Sequence, residues 1–220
     1  MYINDIHIIY YVLVGILGLG VGQFVDWCNI RLPEYKKVFS KEFFTNYLKY
    51  LKPNYLLAFG TAIIYVLILY FVGWGTNLLN HLDLIKYLIL TPMLLSALMI
   101  DLKLQIIPNR LNLTIFEVGL VFTFLQGINN VSVGIDMLLG GLVGAGIFLL
   151  ITLIGGLIAG KEAMGFGDVK LMGAMGLFFG WMNIIAVSLI AFLIGAIISI
   201  VLLVTKKKST DEYIPFGPFI

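Results

Sequence analysis

Apolar runs of membrane-spanning length recur along this chain. A bilayer core of about 30 Å needs roughly 20 mostly apolar residues in a helix. Six stretches meet that requirement: residues 8–27, 54–73, 84–100, 111–128, 134–159 and 183–205. A seventh, 169–181 (VKLMGAMGLFFGW), is apolar but short, and reads as a short or tilted helix or a re-entrant segment. The pattern predicts an all-α, polytopic membrane helix bundle of about seven membrane segments. No tandem repeat or low-complexity tract interrupts it.

Composition sharpens that class. The chain of 220 residues is 60% hydrophobic and 12% charged, against about 25% charged in a soluble domain. Disorder is excluded and a soluble globular fold is disfavoured. Basic residues set the expected topology. Arg31, Lys36, Lys37, Lys41, Lys49 and Lys52 crowd the 27–53 connection; Lys103 and Arg110 lie in 101–110, Lys161 and Lys170 in 160–170, and Lys206, Lys207 and Lys208 in the tail. The alternate connections, 74–83 and 127–136, carry none. Every one of the 14 Lys and Arg except Lys86 thus falls on one side. With seven segments the N-terminus lies outside and the C-terminal tail is cytoplasmic. The first segment has no basic residue before it, so it reads as a retained helix rather than a cleaved signal. Residues 1–53 divide off as a first membrane helix plus a basic cytoplasmic loop, with a membrane core over 54–220. No basic cluster interleaved with aromatics suggests nucleic acid, and the lone Cys28 leaves no CxxC pair to hold zinc.

The carboxylates carry the candidate chemistry. Of twelve acidic residues, Asp5, Asp83, Asp211 and Glu212 fall in polar ends or loops. Glu34 and Glu42 sit among lysines, Glu162 follows Lys161, and Asp136 suits an N-cap. Asp26, Asp101, Glu117 and Asp168 remain at or in membrane segments, where an ionisable group costs at least about 2.5 kcal/mol at mid-depth and is a functional candidate by default. Asp26 has Arg31 five residues on and reads as a structural pair. Glu117 has Arg110 within two turns. Asp101 (MIDLKLQIIPNRLN) and Asp168 (GFGDVKL) both lie at the cytoplasmic mouth, each with a lysine two residues later. Gly165 and Gly167 precede Asp168, allowing close approach and unusual backbone angles; Pro108 follows Asp101 and ends regular structure. The plain alternative is two helix-end aspartates, each paired with its own lysine. Two carboxylates sharing one site would instead keep one proton between them and work as general acid and base on one water. Cys28 has no histidine near it in sequence, His7 and His81 fall on the outer side, and no HExxH cluster exists.

These residues carry a resemblance. GFGDVKL resembles the GxGD motif of intramembrane-type aspartic proteases. IDLKLQIIPNRLN resembles the first-aspartate motif of the type IV prepilin peptidases, close to I-D-x5-L-P-D-x-L. GQFVDWCNIRLP is similar to their G-S-F-L-N-x4-R-L-P stretch, and YIPFGPFI to the I-P-F-G-P-F segment that precedes their last helix. The resemblance implies an aspartic endopeptidase of the bacterial cytoplasmic membrane. Its partners would be the lipid bilayer and a prepilin or pseudopilin precursor, whose short basic leader it cuts after a glycine. The implied catalytic pair is Asp101 and Asp168, with Gly165 and Gly167 as motif glycines, and Lys103, Lys170, Pro108 and Asn109 in support. Three departures stand out. Asn109 takes the place of the acidic residue after the proline. The two CxxC zinc pairs that accompany N-methylation are missing, so no cofactor is expected and methylation is not. The family pattern continues into a further helix beyond Ile220. Lysines at 103 and 170 orient the pair or anchor helix ends. Two rival readings remain. A proton-coupled transporter would show related halves and midplane acids; a non-enzymatic assembly factor would tolerate asparagine at both aspartates.

Overall fold

The computed structural model describes residues 2–43, 45, 54–74, 78–159, 164–205 and 216–220. Lys49, Lys52, Lys161, Glu162, the three tail lysines, Asp211 and Glu212 lie outside them. The chain divides into two compact units, Met1–Ser96 and Ala97–Ile220. Among the described residues six helices are long and apolar enough to cross a membrane, and the expected all-α membrane bundle is what forms.

The first unit opens on a feature the apolar pattern did not predict. Strands β1 (Tyr2–Ile3) and β2 (Ile6–His7) pair antiparallel, Tyr2 opposite His7 and Ile3 opposite Ile6. Asn4 and Asp5 turn between them at φ 47° and 60°, the left-handed pair that a two-residue hairpin requires and that Asn and Asp tolerate. Helix α1 (Ile8–Arg31) follows, its first turn capped by the His7 side chain. Helix α2 (Tyr55–Val72) begins at Asn54, whose side chain accepts from the Leu57 amide at 3.3 Å. The two helices meet through small residues. A Cβ on Gly18 would lie 2.6 Å from Ala62 Cα, and one on Gly22 2.6 Å from Ala58 Cα. Two such residues, each four apart on each helix, let the backbones touch, and close packing is what drives helices together in lipid. Ile6, Tyr11, Leu69 and Leu84 form a buried cluster.

Helix α3 (Leu78–Leu104) runs from the first unit into the second, with Pro92 inside it. It stops one turn past Asp101, where the Gln105 amide bonds the Asp101 carbonyl at 2.9 Å and Gln105 takes φ 55°, a left-handed helix stop. Pro108 then caps helix α4 (Asn109–Asn129), and helix α5 (Val131–Ala159) starts almost at once after Asn130.

Helix α6 (Phe166–Val204) decides the segment count. Its 39 residues break at Gly180, φ 76° and ψ 172°. A Cβ on Gly144 of α5 would touch both the Met172 carbonyl oxygen (2.5 Å) and Ile184 Cγ1 (3.1 Å). In one straight helix those residues would stand roughly 18 Å apart. The chain therefore doubles back at Gly180, and the expected short segment is the first arm of a helical hairpin. That arm is about 21 Å long, short of a bilayer core of about 30 Å. Asp136, expected to cap the helix that holds it, instead sits in the second turn of α5 with its carboxylate packed on Gly180. Asn130 takes the capping role, accepting from the Ser132 amide at 3.1 Å.

Phe148, Met172, Met175, Phe178, Ile184 and Ile115 form the core of this unit. Hydroxyls buried among them bond carbonyls one turn back: Thr123 to Gly119 (2.9 Å), Thr152 to Phe148 (2.8 Å) and Ser188 to Ile184 (2.7 Å). Thr123 Oγ1 also reaches the Leu177 carbonyl of α6 at 3.4 Å, and in apolar surroundings such backbone carbonyls are the acceptors at hand.

Candidate active site

Asp101 and Asp168 come from opposite kinds of helix end. Asp101 occupies the last turn of α3, and Asp168 the first turn of α6. At the start of α6 Gly165 stands before the first helical residue, so Asp168 is the third position. Its amide bonds the Gly165 carbonyl at 3.1 Å, and its carboxylate accepts from the Gly165 amide. This is the return half of a capping box, in which an acid at the third position satisfies the cap's own N–H. The helix dipole favours an acid there as well.

Both side chains are buried, Asp101 4% and Asp168 3% exposed, and lie within electrostatic reach of each other. Asp101 Oδ2 and Asp168 Oδ1 have no hydrogen-bond partner among the described residues. Unsatisfied buried oxygens cost about 1–3 kcal/mol each. Buried carboxyl groups with an unpartnered oxygen each, within electrostatic reach of one another, suit proton exchange with a third group better than they suit a structural role.

The lysines do not pair with their neighbouring aspartates. The ion pairs among the described residues are Arg31–Glu42, Lys36–Glu34 at 2.6 Å and Lys86–Asp83 at 2.8 Å. Lys103 is exposed at the end of α3. Lys170 donates to Asn109 Oδ1 at 2.8 Å, tying α6 to α4. Pro108 is buried, and its carbonyl accepts from the amides of Leu111 (3.0 Å) and Asn112 (3.2 Å). The latitude that the motif glycines allow is not used in φ: neither Gly165 nor Gly167 takes a positive φ. A Cβ on Gly167 would meet Ile107 Cβ at 3.4 Å, ordinary contact, so the glycine leaves the helix start lean rather than strained. The Asp26–Arg31 pair is not formed either. Asp26 accepts from Asn54 Nδ2 at 2.9 Å. Arg31, buried and 4.3 Å above the Trp27 ring, bonds the Lys37 carbonyl at 2.9 Å and Ser40 Oγ at 3.0 Å besides pairing with Glu42. Glu117 is exposed on α4.

Two contributors were not identified from the sequence. Asn112, 3% exposed, donates from Nδ2 to the Gly167 carbonyl at 3.0 Å. It lies one turn after Pro108, on the face that Asn109 begins, and that spacing was the available signal. The second is the turn Gly217–Phe219, whose Gly217 packs directly on the Asp101 carboxylate. An apolar cleft of about 670 Å³ runs from this end between α4, α5 and the first arm of α6. Asn109, Asn112 and Lys170 give it a polar end, and Phe116, Leu142 and Leu177 are part of its apolar lining.

Residues 88–200 match the type IV leader peptidase family. Among curated proteins, the prepilin leader peptidase/N-methyltransferase of Aeromonas hydrophila is 34% identical over 148 residues, 67% of this chain and 47% of that protein. Proteins of the same name from Legionella pneumophila (38% over 129 residues, 58% and 43%) and Pectobacterium carotovorum subsp. carotovorum (32% over 155 residues, 70% and 54%) are also similar. The match spans about half the length of these relatives. No solved structure matches.

Proposed function

We propose, from a chain that belongs to the type IV leader peptidase family, that it is an aspartic endopeptidase cutting the leader from prepilin-like precursors at the cytoplasmic membrane. The observation that carries the proposal is the pair of buried, mutually interacting carboxylates, each with one oxygen unpartnered. Topology supports the cytoplasmic side, with the N-terminus outside and the tail inside, since the basic connections alternate. Residues 1–53 form a leading helix and loop, and the peptidase core is 54–220, its chemistry confined to the second compact unit.

One of the two carboxyls is ionised and the other protonated. The ionised one takes a proton from water as the water oxygen bonds the scissile carbonyl carbon. The protonated one gives its proton to the carbonyl oxygen, leaving a neutral gem-diol. The C–N bond then breaks as the newly protonated carboxyl gives its proton to the leaving nitrogen and the other carboxylate takes a proton from a gem-diol hydroxyl, which restores one ionised and one protonated group. The products are a leader ending in a carboxyl group and a mature chain with a free amine. No acyl-enzyme forms. Lys170 and Asn109 hold the mouth of the cleft, and the apolar stretch after the cut lies along the helices. Only the peptidase half of the relatives' name is carried to this chain.

Mass spectrometry tests the reading. A synthetic peptide with a basic leader ending in glycine, followed by an apolar stretch, is incubated with the detergent-solubilised protein and with Asp101→Asn and Asp168→Asn. The expected result is a leader fragment from the unaltered protein alone, with both variants folded. Cleavage by either variant overturns the shared-carboxylate mechanism. Product mass also reports whether a methyl group was added.

A further inference from the structure

We infer that Gly217 is a positioning residue for the peptidase reaction, its bare Cα forming the surface against which the Asp101 carboxyl group is set. The inference rests on the reading of Asp101 as half of the catalytic pair. A Cβ at position 217 would stand 2.6 Å from Asp101 Oδ2 and 3.0 Å from its Cγ. No side chain of any size fits there without moving the carboxyl group. The Gly217 amide also faces that carboxylate as a hydrogen-bond donor.

The two acids need different help. Asp168 finds its donor locally, because Gly165 starts the same helix. Asp101 sits where α3 is ending, among carbonyls that lack donors, so its donor must come from elsewhere in the chain. The turn at 217 supplies it. That turn is closed by the Phe219 amide on the Phe216 carbonyl at 2.9 Å and the Ile220 amide on the Gly217 carbonyl at 3.2 Å.

Aromatic rings fix the turn in place. Phe216 lies 5.2 Å from Phe192, 5.9 Å from Phe148 and 5.7 Å from Phe219, centre to centre. These are favourable ring separations, and Phe148 is fully buried. Gly195 on the second arm of α6 leaves the space they occupy: a Cβ there would be 2.9 Å from Phe216 Cε2 and 3.2 Å from Phe219 Cδ2. The Gly180 hairpin thus supports Asp101 as well as Asp168. Its first arm carries one acid, and its second arm clamps the turn that sets the other.

The test is steady-state cleavage of the basic-leader peptide by the full chain in detergent, with folding followed by thermal melting. The unaltered protein and Asp101→Asn are run first. An uncut peptide, or cutting by Asp101→Asn, overturns the underlying reading and the inference with it. Given cleavage that needs Asp101, Gly217→Ala is expected to lower kcat about tenfold to a hundredfold with KM within about twofold, the penalty of a displacement near 1 Å at a reacting group. A purely structural glycine would lower the melting temperature and the active fraction, and would leave the kcat of the folded fraction unchanged. Wild-type kcat in Gly217→Ala, or a change confined to KM, overturns the inference. If Gly217→Ala does not fold, Gly195→Ala reaches the same turn through Phe216 without touching the carboxyl group. A fall in kcat at constant KM is then expected, and an unchanged kcat overturns the inference.

Discussion

Replacing Gly180 by alanine tests the hairpin on which the second unit is built. Two separate penalties follow from the geometry. At φ 76° and ψ 172° an L-residue sits in a region essentially reserved for glycine, at about 1–3 kcal/mol. The new Cβ also collides with the Asp136 carboxylate and with nothing else nearby. Overpacking of that kind costs about 1–3 kcal/mol. The sum, about 2–6 kcal/mol, is a large part of a typical stability of 5–15 kcal/mol. Titration of mixed micelles with a denaturing detergent, followed by tryptophan fluorescence, reads it, since Trp181 adjoins the break. A double-mutant cycle separates the terms. In an Asp136→Ala background the collision is gone and Gly180→Ala loses only the backbone term. The coupling between the two substitutions is then about 1–3 kcal/mol. A Gly180→Ala protein within about 0.5 kcal/mol of the unaltered one refutes the hairpin, because only a continuous helix tolerates alanine there.

The other expectations concern single contacts. Asn112→Ala removes the donor to the Gly167 carbonyl and is expected to destabilise by about 0.5–1.5 kcal/mol. It should also reduce peptide cleavage, because Gly167 precedes Asp168; an unchanged cleavage rate with unchanged melting contradicts the contact. Gly22→Leu drives a side chain into Ala58 and should cost at least about 1–3 kcal/mol by separating α1 from α2. Its expected signature is loss of the first unit's melting transition, with the second unit's transition retained.

How much of this was legible in the sequence depended on range. Helix spans follow from composition alone: the apolar runs at 54–73 and 134–159 became α2 (Tyr55–Val72) and α5 (Val131–Ala159) within a few residues. The GFGDVKL run revealed an acid at a helix start because that signal is local. Side-chain partners were not legible. Arg31 and Asp26 are five residues apart on α1, yet Glu42 and Asn54 claim them, since a folded loop offers better geometry than the next turn of the same helix. Lys170 passes over Asp168 for Asn109, sixty-one positions away. The glycines told a partial story. Gly180 and Gly217, inside FFGW and PFGP, are among the positions where conformation or contact demands glycine. Those of the GxGD motif take no positive φ.

The site's burial has a further consequence. A carboxylate deep in an apolar bundle is costly unless paired or hydrogen-bonded. Here each acid is met by one backbone amide, Gly217 for Asp101 and Gly165 for Asp168, while no lysine neutralises either among the described ion pairs. A paired lysine would fix both acids in the ionised form, in which neither has a proton to donate. Backbone amides orient a carboxyl group without supplying a full countercharge, so the pair can hold a single proton between its members. Diverting Lys170 to Asn109 is therefore consistent with the proposed acid–base reading in two ways: it braces the cleft mouth, and it leaves Asp168 without the ion pair that its neighbouring lysine could have made.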